Sequence, residues 1–276
     1  MISDVHNHCM WSSDSVTDPE IQVKQAITLG MKHICITDHL DIDAPGFPPD
    51  FYNFLIGNRF DDETFRSYFD NLTSVKEKYK DSIELLIGVE FGMQPHLVEQ
   101  YEELHSKYPW DMIIGSTHTY QGMDGEDKRH YENVSNEEAL RAYFEEELLN
   151  LQIYDCYDTV GHMDFAIRYA PGAINNFQYS TYSDILDEIL KVIIRKDKAL
   201  EINTSKLKSL GYTNPQLPVF ERYWELGGRL ITFGSDAHVP ERLGEGFEEM
   251  AAALKKIGFK EYAVFRNHMP VLLEME

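Results

Sequence analysis

Apolar residues in this chain follow two alternating patterns. Seven short, nearly unbroken apolar runs each end in a polar cluster, and between them lie longer segments whose apolar positions recur every three to four residues. The runs are Ile2–Val5, His33–Ile36, Leu85–Val89, Met112–Thr117, Thr159–Gly161, Ala199–Ile202 and Leu230–Ser235. Near-uniform apolar character over such lengths predicts parallel strands covered on both faces.

The intervening segments predict helices. Thr17 and Glu20 are spaced for a capping box, with Val23, Ala26 and Ile27 on the buried face and Gly30 closing the helix. Phe65, Tyr68, Phe69, Leu72, Val75 and Tyr79 trace one helical stripe, and Leu140, Tyr143, Phe144, Leu148 and Leu151 trace another. Further helices are expected near 94–107, 180–197, 214–227 and 247–257. The aromatic stripes read as core, not as cofactor-binding surfaces.

Strand–helix alternation with about seven strands allows an open doubly wound sheet or a parallel barrel. The polar clusters decide between them. Six of the seven carry a potential metal ligand: His6-x-His8, Thr37-Asp38-His39, Glu90, His118, His162 and Asp236-x-His238. A barrel gathers the strand C-termini on one face, whereas an open sheet would place ligands from its outer strands too far apart to share one metal cluster. The long connections, roughly 40–61, 119–135, 164–180 and 204–213, all follow strands and are placed to form the rim of that face. The first is acidic through Asp41, Asp43, Asp61 and Asp62, and its Phe51-Tyr52-Asn53-Phe54 stretch is placed to cover the site or meet a partner.

Residues i and i+2 of a strand face the same side, so His6 pairs with His8 and Asp236 with His238. Adding Asp14, just past the first strand, gives nine candidate ligands: His6, His8, Asp14, His39, Glu90, His118, His162, Asp236 and His238. One tetrahedral zinc needs only four, so two or three divalent metals are expected, with zinc, manganese and iron all compatible. Cys9 and Asp38 point away from the ligand face. Asp38, and Asp4 before His6, read either as groups that hold a ligand in place or as strand-end residues bonded to backbone. His33, His96, His105, His130 and His268 lack strand-end placement and read as structural or surface residues.

Composition narrows the partners. The formal charge is 25 − 47 = −22 and no Lys/Arg stripe is visible, which disfavours long nucleic acids and anionic membranes. A small anionic substrate can enter if bound cations reverse the local field. The 276 residues show no linker or repeat, so one domain spanning 1–276 is expected. Three scattered cysteines without a CxxC, no signal segment and no membrane-length apolar run predict a soluble cytoplasmic protein.

At Asp4-Val5-His6-Asn7-His8, Thr37-Asp38-His39, Gly88-Val89-Glu90, Gly115-Ser116-Thr117-His118, Gly161-His162-Met163-Asp164 and Ser235-Asp236-Ala237-His238 the chain resembles the polymerase and histidinol phosphatase (PHP) family. The resemblance implies a distorted (β/α)7 TIM-like barrel with up to three metals at its mouth. His6, His8, Glu90 and Asp236 would hold one, Asp14, His39 and His238 a second, and His118 and His162 with bridging Glu90 a third. Segments 161–169 and 201–205 look most like the stand-alone histidinol-phosphatase branch, in which basic loop residues grip phosphate. Here these would be Arg168 and Lys206, with Lys208 as the alternative to Lys206.

The implied reaction is hydrolysis of L-histidinol phosphate in histidine biosynthesis. Metal coordination lowers the pKa of water from ~15.7 to about 7, so a bridging hydroxide can attack phosphorus while Arg168 stabilises the non-bridging oxygens. Glu90, Asp236 and Arg168 are the expected catalytic residues, and Arg168, Lys206 and Asp41 the expected substrate contacts. Asp41, Asp43 and His130 are candidates to protonate the leaving group. Action on another small phosphomonoester, nucleotide or short oligonucleotide stays open, as does a non-catalytic metal-binding role. Amide hydrolysis is disfavoured because no bridging lysine stands at a strand end.

Overall fold

The computed structural model describes residues 2–43 and 62–275, so Asp61 and the Phe51–Phe54 stretch lie outside the described residues. In chain order its strands are β1 (His33–Ile36), β2 (His39–Leu40), β3 (Glu84–Gly92), β4 (Met112–Ser116), β5 (Thr119–Tyr120), β6 (Met123–Asp124), β7 (Thr159–Val160), β8 (Ala199–Asn203), β9 (Ile231–Gly234), β10 (Glu261–Arg266) and β11 (Met269–Glu274). One sheet runs β1-β3-β4-β7-β8-β9, parallel throughout, with β2 extending β1's path along β3.

The N-terminal run closes this sheet. On one side Val5 N donates to Phe233 O (3.0 Å), Asp236 N to His6 O (2.8 Å) and His8 N to Ala237 O (2.9 Å). On the other, Cys35 N donates to Asp4 O (2.9 Å) and Thr37 N to Asn7 O (3.0 Å). Bonded on both edges, residues 4–8 act as the seventh strand of a distorted (β/α)7 barrel, and the expected architecture holds.

Helices cover the outside. The two aromatic stripes become α-helices Asp62–Tyr79 and Asn136–Ile153. In helix Ser183–Arg195 the residues Ile185, Leu186, Ile189, Leu190 and Ile193 are buried, each contributing roughly 1.5–3 kcal/mol by leaving water. The expected helix near 94–107 is a 3-10 turn, Pro95–Leu97, followed by helix Val98–Lys107.

Two elements correct the sequence reading. The first helix, Pro19–Thr28, is capped by Asp18, whose carboxylate accepts from Glu20 N at 2.8 Å. Proline suits the first helical position because its missing N–H is not needed there, and this sets the cap at residue 18 instead of Thr17. Thr17 Oγ1 instead donates to His238 O, and Glu20 pairs with Lys24 and Lys78. The β10–β11 hairpin was not anticipated. Its turn residues Asn267 and His268 both have positive φ (48° and 64°), as a tight two-residue hairpin turn demands. His268 N reaches Asp111 O (3.0 Å) and His268 Nδ1 reaches Asp158 Oδ2 (2.9 Å), fastening the hairpin to the end of the barrel where the strands begin.

Candidate metal centre

All strands of the barrel point their C-terminal ends at one mouth, and Glu90 stands at its centre, fully buried. Glu90 Oε1 accepts from Ser116 Oγ (2.7 Å) and lies 3.1 Å from His118 Nε2 and 3.0 Å from His162 Nε2. Its Oε2 faces His39 Nδ1 (2.8 Å), His6 Nε2 (3.2 Å) and His8 Nε2 (3.7 Å). Asp236 Oδ1 lies 3.3 Å from His8 Nε2 and 3.8 Å from His6 Nε2, and its Oδ2 lies 3.5 Å from Arg168 Nη1. Asp14 Oδ2 sits 2.8 Å from His238 Nε2 and 3.7 Å from His39 Nε2. The nine residues named from sequence therefore converge.

Donor atoms of eight of the nine, all but Asp14, fall into four overlapping groups within 4.8 Å: His8, His39 and His238; His6, His8 and Glu90; His6, His162 and Asp236; His39, Glu90 and His118. The direction of the ring protons shows that these groups fit cations. His6 Nδ1 donates to Glu201 Oε1 (2.5 Å), His118 Nδ1 to Asp41 Oδ1 (2.7 Å) and His238 Nδ1 to Asp236 O (3.0 Å). Ser12 Oγ gives its own proton to Asp38 (2.7 Å), so it accepts from His8 Nδ1 at 3.1 Å. A neutral imidazole carries one N–H, so in their neutral form these four rings turn an Nε2 lone pair toward the mouth. Buried Nε2 atoms of His6, His8 and His238 and buried Glu90 Oε2, though close to one another's neighbours, make no hydrogen bond of acceptable geometry among the described residues. Acceptors crowded against acceptors suit bound cations, because satisfying them with protons would charge neighbouring imidazoles alike.

Electrostatics follows the same crowding. Burial opposes ionisation of Glu90, yet His6, His118 and His39 hold its carboxyl well below the usual range. Burial, with His238 and His39 alongside, pushes His8 down to about 3. For His118 burial works downward too, but Asp41 and Glu90 prevail and raise it to about 10.

Above the centre lies a cavity of about 370 Å³, within the range of small-ligand sites. Arg168, Lys206 and Arg242 line it together with Asp41, Asp124 and Glu126, with Phe165 and Tyr169 among them. Lys206, not Lys208, lines this cavity. Lys208 is 70% exposed and pairs with Glu245 at 3.0 Å. Asp41 lies behind His118, close to Gly92, where a Cβ would come within 1.8 Å of its Oδ1. Asp43 faces His96 at the surface, and His130 stacks on Tyr120 (3.6 Å) with Nε2 on Asp124 O, so neither reaches the cavity.

Cys9 points away as expected, its Sγ 3.0 Å from Asp38 Oδ2. Asp38 supports His8 through Ser12, whereas Asp4 accepts backbone N–H from His6, Ser235 and Gly244. Sequence reasoning missed Glu201, Ser12 and Arg242. A glutamate within the apolar run Ala199–Ile202 was the available signal for the first. Gly234 makes room for it, since a Cβ there would lie 2.0 Å from Glu201 Oε1 and 2.6 Å from His6 Cβ.

A PHP-domain family model matches residues 4–205. A probable histidinol-phosphatase of Clostridium acetobutylicum is 32% identical over 251 residues, covering 90% of this chain and 91% of that protein. The histidinol-phosphatase of Lactococcus lactis subsp. lactis is 30% identical over 263 residues, covering 95% and 93%. The crystal structure of histidinol phosphate phosphatase from Lactococcus lactis subsp. lactis, complexed with zinc, L-histidinol and phosphate, superposes with a TM-score of 0.85 at 28% identity, covering 98% of each chain.

Proposed function

The chain belongs to the PHP-domain family, and from that premise we propose that it is a metal-dependent phosphomonoesterase converting L-histidinol phosphate to L-histidinol and phosphate. The observation that carries this reading is the set of Nε2 lone pairs gathered around Glu90 and Asp236 beneath a cavity with cationic side chains. Relatives named for this activity and a structural neighbour holding zinc, L-histidinol and phosphate support it.

His6, His8, Glu90 and Asp236 would hold one divalent ion, Asp14, His39 and His238 a second, and His118 and His162 with Glu90 a third. Zinc, manganese and iron all suit this nitrogen and oxygen set. When bound, such ions supply Lewis acidity, which activates water and neutralises phosphate charge.

The remaining work falls to the chain itself. Arg168 offers guanidinium N–H groups to phosphate oxygens, and Lys206 and Arg242 add positive charge on the same cavity. Asp124 and Glu126 give the cavity negative charge, suited to the protonated amine of an amino alcohol. Glu201, Ser12 and Asp41 fix the imidazoles, so that the lone pairs need not reorganise during turnover. We read residues 1–276 as one PHP-type unit, working in the cytoplasm, where its three free, buried cysteines would stay reduced. No described helix is long and apolar enough to cross a membrane.

Steady-state turnover on a panel of phosphomonoesters and diesters tests the proposal. Highest kcat/KM for L-histidinol phosphate is expected, and preference for a diester or a nucleotide would overturn the substrate assignment.

A further inference from the structure

Arg168 does not reach the cavity as a free side chain. Its Nε donates to Asn214 Oδ1 (2.7 Å) and its Nη2 to Asn203 Oδ1 (3.2 Å), so two amide oxygens occupy the side-on edge of the guanidinium. Nη1, 3.5 Å from Asp236 Oδ2, is left on the side of the metal centre. The guanidinium also lies over the Phe165 ring, 5.2 Å from its centroid, which fixes its plane.

Each amide is itself oriented by a carboxylate behind it. Asn214 Nδ2 donates to Asp164 Oδ1 (2.6 Å), and Tyr212 Oη donates to Asp164 Oδ2 (2.5 Å). Asn203 Nδ2 lies 3.3 Å from Glu201 Oε2 and 3.4 Å from Asp236 Oδ2. Carboxylates only accept, so both NH2 groups must face them and both amide oxygens must face Arg168. A flipped Asn214 would set its NH2 against Arg168 Nε–H, donor against donor. The loop cannot easily drift, because Asn203 N donates to Asn214 O (2.9 Å) and Asn214 N to Asn203 O (3.0 Å).

We propose that Asn214, oriented by Asp164, is a positioning residue that selects which edge of Arg168 meets the phosphate group. With Nε and one hydrogen of Nη2 committed, the guanidinium can offer only its end-on edge, Nη1 and the second hydrogen of Nη2. That edge suits a two-point contact with tetrahedral oxygens next to Asp236. The inference rests on the phosphatase reading above, and it assigns the aiming of Arg168 to amides that are not among the residues lining the cavity.

The test uses the zinc-loaded chain of residues 1–276 and two calorimetric titrations, one with inorganic phosphate and one with L-histidinol. Asn214→Ala should weaken phosphate binding about tenfold and raise KM more than it lowers kcat, leaving L-histidinol affinity unchanged. Tyr212→Phe, which keeps the amides and removes one support of Asp164, should show the same pattern at about two- to threefold and covers the case in which Asn214→Ala folds poorly. In an Arg168→Ala background, Asn214→Ala should add nothing further, because it acts through Arg168. Additive losses, or unchanged phosphate affinity in both Asn214→Ala and Tyr212→Phe, would overturn the frame. If Arg168→Ala itself binds phosphate normally, the phosphate role of Arg168 fails instead, and the frame fails with it.

Discussion

Glu201 Oε1 lies 2.5 Å from His6 Nδ1, and both side chains are completely buried. The other oxygen of Glu201 accepts from His162 N at 2.7 Å, so one carboxylate sets the ring of one ligand and the backbone of another. Replacing Glu201 by Gln keeps the shape and removes the charge that makes His6 a stronger ligand. Metal affinity should fall about 10- to 100-fold. Metal content after dialysis against a graded chelator series measures this, and wild-type retention of metal would refute the assigned role.

Glu90 and Asp236 each face imidazoles that belong to more than one donor group. Glu90→Ala and Asp236→Ala should therefore lose metal and turnover together, with kcat down at least about a thousandfold. Elemental analysis beside a phosphate-release assay provides the check. Full turnover by a metal-free variant would sink the metal-dependent mechanism.

Lys206 and Lys208 stand two residues apart but differ in setting. Lys206→Ala should raise KM for the phosphate ester several-fold. Lys208→Ala, removing an exposed charge paired with Glu245, should leave both kinetic constants within about twofold. The reverse ranking would return the phosphate contact to Lys208.

Glu147 is fully buried, and burial raises its carboxyl from 4.5 to about 8, against smaller downward pulls from Thr117 and His118. The unfolded chain ionises this group above about pH 4.5, while the folded chain keeps it protonated until near pH 8. Its contribution to stability therefore declines as pH rises through that window and levels off above it. Glu147→Gln should erase the decline, gaining under about 1 kcal/mol near pH 5 and roughly 4 kcal/mol near pH 7.5 over wild type. Urea titrations across this range measure it, and parallel stability curves for the two proteins would contradict the prediction.

Gly234 lets β9 pass close to Glu201 and His6. Gly234→Ala should cost about 1–3 kcal/mol through overpacking. It should also reduce metal retention, whereas an alanine at open Gly122 should spare the metal. Thermal melts paired with zinc content separate a local steric effect at the centre from a general loss of stability.

The barrel and the residues at its mouth were legible because the signals are local. Uniform apolar runs mark covered strands, and i, i+2 spacing points His6 with His8 and Asp236 with His238. What escaped depends on distant partners or on competition between neighbours. Glu201 looks like an isolated polar residue in an apolar run until folding brings it to His6. Lys206 and Lys208 carry the same charge, and only the path of the chain after β8 separates them. Asp18 displaced Thr17 as a cap because Pro19 suited the first helical position. The β10–β11 hairpin turns on positive φ at Asn267 and His268, residues without the glycine that usually signals such a turn.

His8 and Asp236 come from opposite ends of the chain, and their strands meet where residues 4–8 complete the barrel. A cation shared between them would work as a rivet across the closing seam, joining the earliest and latest parts of the cylinder. Loading and closure are then one equilibrium: a barrel that opens at this seam takes its ligand pairs apart, and an ion that binds there keeps the N-terminal strand from peeling away.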